Sequence, residues 1–153
     1  MFTVYNLFKF LHIIGAIVWI GGVITVSIIT ARVARENDRT VLAAMARQSS
    51  RLGTTIIGPA AGLTLIAGIV MIAVSGLGAP LWVIWGFAAI IVSMALGATL
   101  IRRAGEELSK LAATAEPGDP RLSALQQRLA TLNTINILLL LSAVGAMVFK
   151  PTL

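Results

Sequence analysis

Leu11-His12-Ile13-Ile14-Gly15-Ala16-Ile17-Val18-Trp19-Ile20-Gly21-Gly22 sits inside an apolar run that extends from about Tyr5 to Ala31. A helix needs roughly 20 mostly apolar residues to cross a bilayer's hydrocarbon core, so this run reads as a membrane span. Three more runs qualify: about Thr54–Val74, Leu81–Ile101 and Leu132–Phe149. None alternates apolar and polar residues as a lipid-facing barrel strand does. The backbone of a span must satisfy its own polar groups, which leaves the helix. The expected fold is therefore an all-α polytopic membrane four-helix bundle, with residues 1–153 forming a single membrane domain.

Composition agrees. The chain is 58% hydrophobic and 12% charged, against about 45–50% and 25% in ordinary soluble domains. It has no cysteine. That removes disulfides, thiolate zinc sites, iron–sulfur clusters and covalent C-x-x-C-H haem attachment. Residues 1–8 lack a basic leader and the first apolar run is long for a signal h-region, so no cleavable signal peptide is read there.

The connections differ in character. Ser75-Gly76-Leu77-Gly78-Ala79-Pro80 is short and uncharged, the composition of a tight turn between antiparallel helices. Residues 32–53 and 102–130 are long and basic. The first contains a segment capped by Asp38 that reads as a short helix; the second is broken at Glu116-Pro117-Gly118-Asp119-Pro120. Leu122, Leu125 and Leu129 share a helical face, so the last helix is expected to begin near Arg121. Ten of the twelve Lys and Arg residues fall in these two connections, and only Lys9 and Lys150 lie elsewhere. Basic loops stay on the cytoplasmic side. Both long connections are expected there, with both termini periplasmic, in a bacterial inner membrane. The formal charge of +6 then fits contact with anionic lipid headgroups, not nucleic acid.

Small residues recur at helical spacing: Gly15 and Gly22, Gly58 and Gly62, then Ala89, Ser93 and Gly97. Such positions let helix backbones approach within lipid. They serve either the bundle itself or an interface in a homo-oligomer or larger membrane complex.

His12 is the only histidine, and an ionisable group within a span is a candidate functional site. At about 1.5 Å per residue it lies roughly 10 Å from the start of its span, a level that Met71 and Met147 also reach. Four roles fit. His12 hydrogen-bonds a neighbouring helix; it is an axial ligand of haem b, with a methionine as sixth ligand and Trp19 nearby; it binds copper as a metal ligand together with methionine; or it relays protons or binds a substrate. No span contains an acidic residue, and no phosphate loop, H-E-x-x-H or G-x-S-x-G is present. Nothing in the sequence supports a hydrolase or a phosphoryl-transfer enzyme.

The Leu11–Gly22 stretch, preceded by Phe8-Lys9-Phe10, resembles the first helix of a family of small four-span bacterial integral membrane proteins without assigned function. Gly58-Pro59-Ala60-Ala61-Gly62-Leu63-Thr64-Leu65-Ile66-Ala67-Gly68 looks like that family's second helix. The first-helix pattern is also similar to the copper-resistance D family and to the HemJ type of protoporphyrinogen oxidase. That resemblance implies haem or copper chemistry, with His12 the residue that carries over as a ligand. An accessory or scaffold subunit, or a small transporter or channel, are the alternatives.

Overall fold

The structure, a computed structural model, describes residues 3–36, 38–116 and 119–151. Among them the chain is all helix. We label the helices α1 (Val4–Arg35), α2 (Arg39–Leu52), α3 (Gly58–Ser75), α4 (Leu81–Leu96), α5 (Arg102–Thr114) and α6 (Pro120–Phe149). Single π-helical turns at Gly53–Ile57 and Gly97–Ile101 join α2 to α3 and α4 to α5 without a break. The result is four continuous rods of 32, 37, 34 and 30 residues, each long and apolar enough to cross a membrane.

At 1.5 Å per residue these rods are about 45–56 Å long, while the hydrocarbon core is about 30 Å thick. The excess lies mostly at one end. Residues 39–52 and 102–114, which belong to the basic connections, are helical extensions of the second and third rods. They build a small core of their own from Leu42, Ala43, Ala46, Ala104, Leu108, Ala112 and Leu129. Ser109 Oγ donates to the Ala43 carbonyl at 3.3 Å, and the Arg39 guanidinium donates to the Ala115 carbonyl. Asp38 caps α2 by accepting from the Thr40 and Val41 amides at 2.9 and 3.1 Å. Asp119 caps α6, which starts at Pro120, where its missing N–H is no loss. Pro117 and Gly118 lie outside the described residues. At the opposite end Gly76, with φ of 63°, terminates α3 in the left-handed region that glycine tolerates.

Within the apolar part, large side chains face outward and small ones inward. Ile17, Ile66, Ile91 and Leu138 are exposed, whereas Gly15, Ala60, Ala61, Thr64, Ala67, Gly86, Ala89, Ser93 and Ala143 are buried. Lipid tails are as apolar as leucine, so outward aliphatics lose nothing and the interior is chosen for close approach. A Cβ on Gly15 would stand 2.6 Å from Thr64 Oγ1 and 3.0 Å from the Ala60 carbonyl oxygen. That contact sets the spacing of α1 and α3. Gly22 presses on Ile57, with 3.0 Å from a built Cβ to the nearest side-chain atom.

The other small residues do different work. A Cβ on Gly58 would meet the Gly53 carbonyl oxygen of the preceding π turn at 3.0 Å, so Gly58 accommodates that turn. Gly62 and Gly97 have open space where a Cβ would stand, and neither closes a helix contact within the chain. The buried face of α3 is instead Ala60, Ala61, Thr64 and Ala67.

Candidate functional site

His12 is half-buried on α1 and faces α3. Its Nδ1 lies 2.8 Å from the Thr64 carbonyl oxygen. A carbonyl only accepts, so Nδ1 carries the proton and donates, using a lone pair beyond the carbonyl's own helix bond. Two features of α3 make room for this. The Thr64 hydroxyl turns back to donate to the Ala60 carbonyl at 2.9 Å. Gly68, one turn further on, carries no side chain over the ring: a Cβ there would be 3.4 Å from both Cε1 and Nδ1.

With Nδ1 protonated, the neutral ring has its free lone pair on Nε2. The imidazole borders a cavity of about 80 Å³, whose lining includes Met71, Trp82, Phe87 and Met147. Met147 reaches inward because Gly86 faces it; a Cβ at position 86 would lie 2.6 Å from its methyl. Trp82 is held at the rim, with the Lys150 ammonium 5.6 Å from its ring centroid. Trp85 donates from Nε1 to Ser142 Oγ at 3.2 Å, tying α4 to α6.

The structure therefore brings His12, Met71 and Met147 to one cavity. It does not bring Trp19 there. Trp19 is two turns further along α1, buried with Ala60, Ala61, Ile90 and Leu140 in an apolar layer deeper in the bundle. No acidic side chain among the described residues lines the His12 cavity. Among the described residues no three His, Cys, Asp or Glu side chains gather as a metal cluster. The donors are one imidazole nitrogen and two thioethers, all neutral. Sites for organic ligands enclose about 300–1,000 Å³; a cavity of about 80 Å³ does not take a porphyrin, so haem b does not fit here. A single ion does.

Beyond the Trp19 layer lies a second, larger cavity of about 370 Å³ to which all four rods contribute. The sequence gives little notice of it, because its polar members are scattered serines, threonines and asparagines on different helices. The pair that marks it is Ser93 and Asn136: the buried Ser93 hydroxyl donates to Asn136 Oδ1 across the α4–α6 contact.

Fold and site together define a multi-pass helical membrane protein. More specifically, the chain belongs to the family described as "Predicted integral membrane protein (DUF2269)", whose pattern matches residues 6–151. No curated protein and no solved structure matches it.

Proposed function

We propose that this membrane protein binds one soft monovalent metal ion, Cu(I) or its analogue Ag(I), at His12. The observation that carries this is the hydrogen bond from His12 Nδ1 to the Thr64 carbonyl, which leaves Nε2 as the ligating nitrogen in a cavity shared with Met71 and Met147. A ligating histidine characteristically donates its other N–H to a carbonyl or carboxylate, fixing ring and tautomer. Thioether and imidazole suit Cu(I). With no carboxylate to offset it, a dication would be far more costly to bury than a monocation.

Charge favours an orientation. The helical extensions α2 and α5 and the start of α6 hold most of the basic residues, which puts that end in the cytoplasm and the His12 cavity near the opposite face.

The test is Ag(I) or Cu(I) binding to the purified protein in detergent, in competition with a chromophoric chelator. One ion per chain is expected. His12→Ala abolishes binding, Met71→Leu and Met147→Leu each weaken it, and Zn(II) does not compete. Unchanged binding in His12→Ala overturns the proposal. The same hydrogen bond also supports a purely structural reading, in which His12 only clamps α1 to α3. That reading expects no stoichiometric ion and a loss of stability alone in His12→Ala.

A further inference from the structure

Trp82 and Trp85 lie three residues apart on α4 but in different surroundings. Trp85 is exposed and bonds Ser142, as an interfacial anchor does. Trp82 is half-buried and lines the His12 cavity. It shares a face of α4 with Gly86, four residues on, and the Met147 methyl packs where a Cβ on Gly86 would stand. The indole, Met147, Met71 and His12 therefore border one space of about 80 Å³.

A monocation bound there keeps its positive charge. Imidazole and thioether donate lone pairs but carry no negative charge, and among the described residues no carboxylate lines the cavity. A charge buried without compensation is costly. An aromatic face supplies compensation, because its quadrupole presents negative potential to a cation. Of the two rings in the lining, Trp82 and Phe87, the indole attracts cations more strongly. Trp82 also already attracts one: the Lys150 ammonium is 5.6 Å from its ring centroid, within the range of a cation–π contact. Lys150 makes this contact from the end of α6, where it adopts a left-handed conformation with φ of 45° that no other non-glycine residue among those described adopts.

We infer that the Trp82 indole is the fourth contact of the ion: His12 Nε2, Met71 and Met147 supply lone pairs, and the indole face offsets the charge. The inference rests on the reading of His12 as a soft-metal ligand, and it adds a competitor to that site. Two cations on one indole repel each other, so the ion and the Lys150 ammonium compete for Trp82. Lys150 is exposed, and its side chain can leave the ring for solvent when the ion arrives.

The test is Ag(I) affinity, read by competition with a chromophoric chelator, across substitutions at position 82 of the full chain. Trp82→Leu should weaken binding about 5- to 30-fold, and Trp82→Phe should fall between the leucine variant and the parent. Lys150→Asn removes the competing charge and keeps a residue that accepts the left-handed region. It should tighten binding, a direction that misfolding does not produce. In a Trp19→Phe/Trp85→Phe background Trp82 is the only tryptophan, and one equivalent of Ag(I) should quench its fluorescence. Stoichiometric binding that is unchanged by Trp82→Leu and by Lys150→Asn, with a Trp82 emission that ignores Ag(I), makes Trp82 an interfacial anchor alone; it overturns the inference and leaves the His12 site standing. Absence of stoichiometric Ag(I) binding in the parent protein overturns the His12 site, and the inference with it.

Discussion

Replacing Gly15 by alanine tests how α1 and α3 are held together. A Cβ at position 15 would sit 2.6 Å from Thr64 Oγ1, 3.0 Å from the Ala60 carbonyl oxygen and 3.2 Å from the Thr64 amide nitrogen. Two of these three atoms belong to backbone, so rotation of a side chain does not relieve the clash. The helices must move apart, and overpacking of this kind costs about 1–3 kcal/mol. Gly→Ala in a helix also brings a propensity gain of about 1 kcal/mol, which would blur the result. Gly21 supplies the control. It lies on the same helix, and a Cβ there meets nothing within 4 Å. The propensity gain is common to both substitutions, so the difference between Gly15→Ala and Gly21→Ala isolates the steric effect. Reversible unfolding in mixed micelles should place Gly15→Ala about 1–3 kcal/mol below Gly21→Ala. The His12–Thr64 bond crosses the same contact, so Gly15→Ala should also disturb the His12 imidazole resonances. Equal stability of the two variants, with the imidazole unperturbed, would refute the close-contact argument.

Ser93→Ala removes the hydroxyl that occupies Asn136 Oδ1; a loss on the order of 0.6–1.7 kcal/mol is expected by the same unfolding assay, as for other interhelical hydrogen bonds in membranes. Asp38→Ala removes the α2 cap and should cost about 1 kcal/mol, seen as faster amide exchange in the first turn of α2. At the start of α6 the Arg121 guanidinium, by hydrogen bonding and charge, holds the Asp119 carboxyl below its ordinary value. A lowered folded-state pKa stabilises above the unfolded carboxylate range and is lost as pH falls through the lowered value; exchange protection in the first turn of α6 should follow that acid transition, and Asp119→Asn should abolish the dependence. A reporter fused after Leu153 should read as periplasmic, and a cytoplasmic reading would overturn the charge-based orientation.

The four apolar rods were legible because length and hydropathy are nearly sufficient to specify a membrane helix. The start of α6 was legible from the proline and the leucine face. The continuity of the rods was not. Residues 32–53 and 102–130 are basic enough to read as connections; the short helix capped by Asp38 was legible within the first, but not its continuation into α3, nor the helix Arg102–Thr114 in the second. Their alanine-rich inner faces pack on each other, and the π turns that join them to α3 and α4 have no sequence signature beyond an opening glycine. Gly58 and Gly62 show the converse. The spacing predicts a helix contact, but spacing does not say which face is inward, and on α3 the inward face is one residue round. At the site, the common level of His12, Met71 and Met147 followed from counting residues along antiparallel helices. Trp19 followed the same stripe but is two turns deeper, where it closes the other cavity. The Thr64 carbonyl that orients His12 was invisible, because a backbone acceptor leaves no mark in a sequence.

The most direct measurement uses the single histidine. In protein labelled with ¹⁵N-histidine only one imidazole is observed, and its two nitrogens report the tautomer and the ligand together. The account predicts a protonated Nδ1 and an unprotonated Nε2, with Nε2 shifting on addition of one equivalent of Ag(I) while Nδ1 keeps its proton. An Nε2 resonance that ignores Ag(I), or a ring protonated at Nε2 instead of Nδ1, would contradict it.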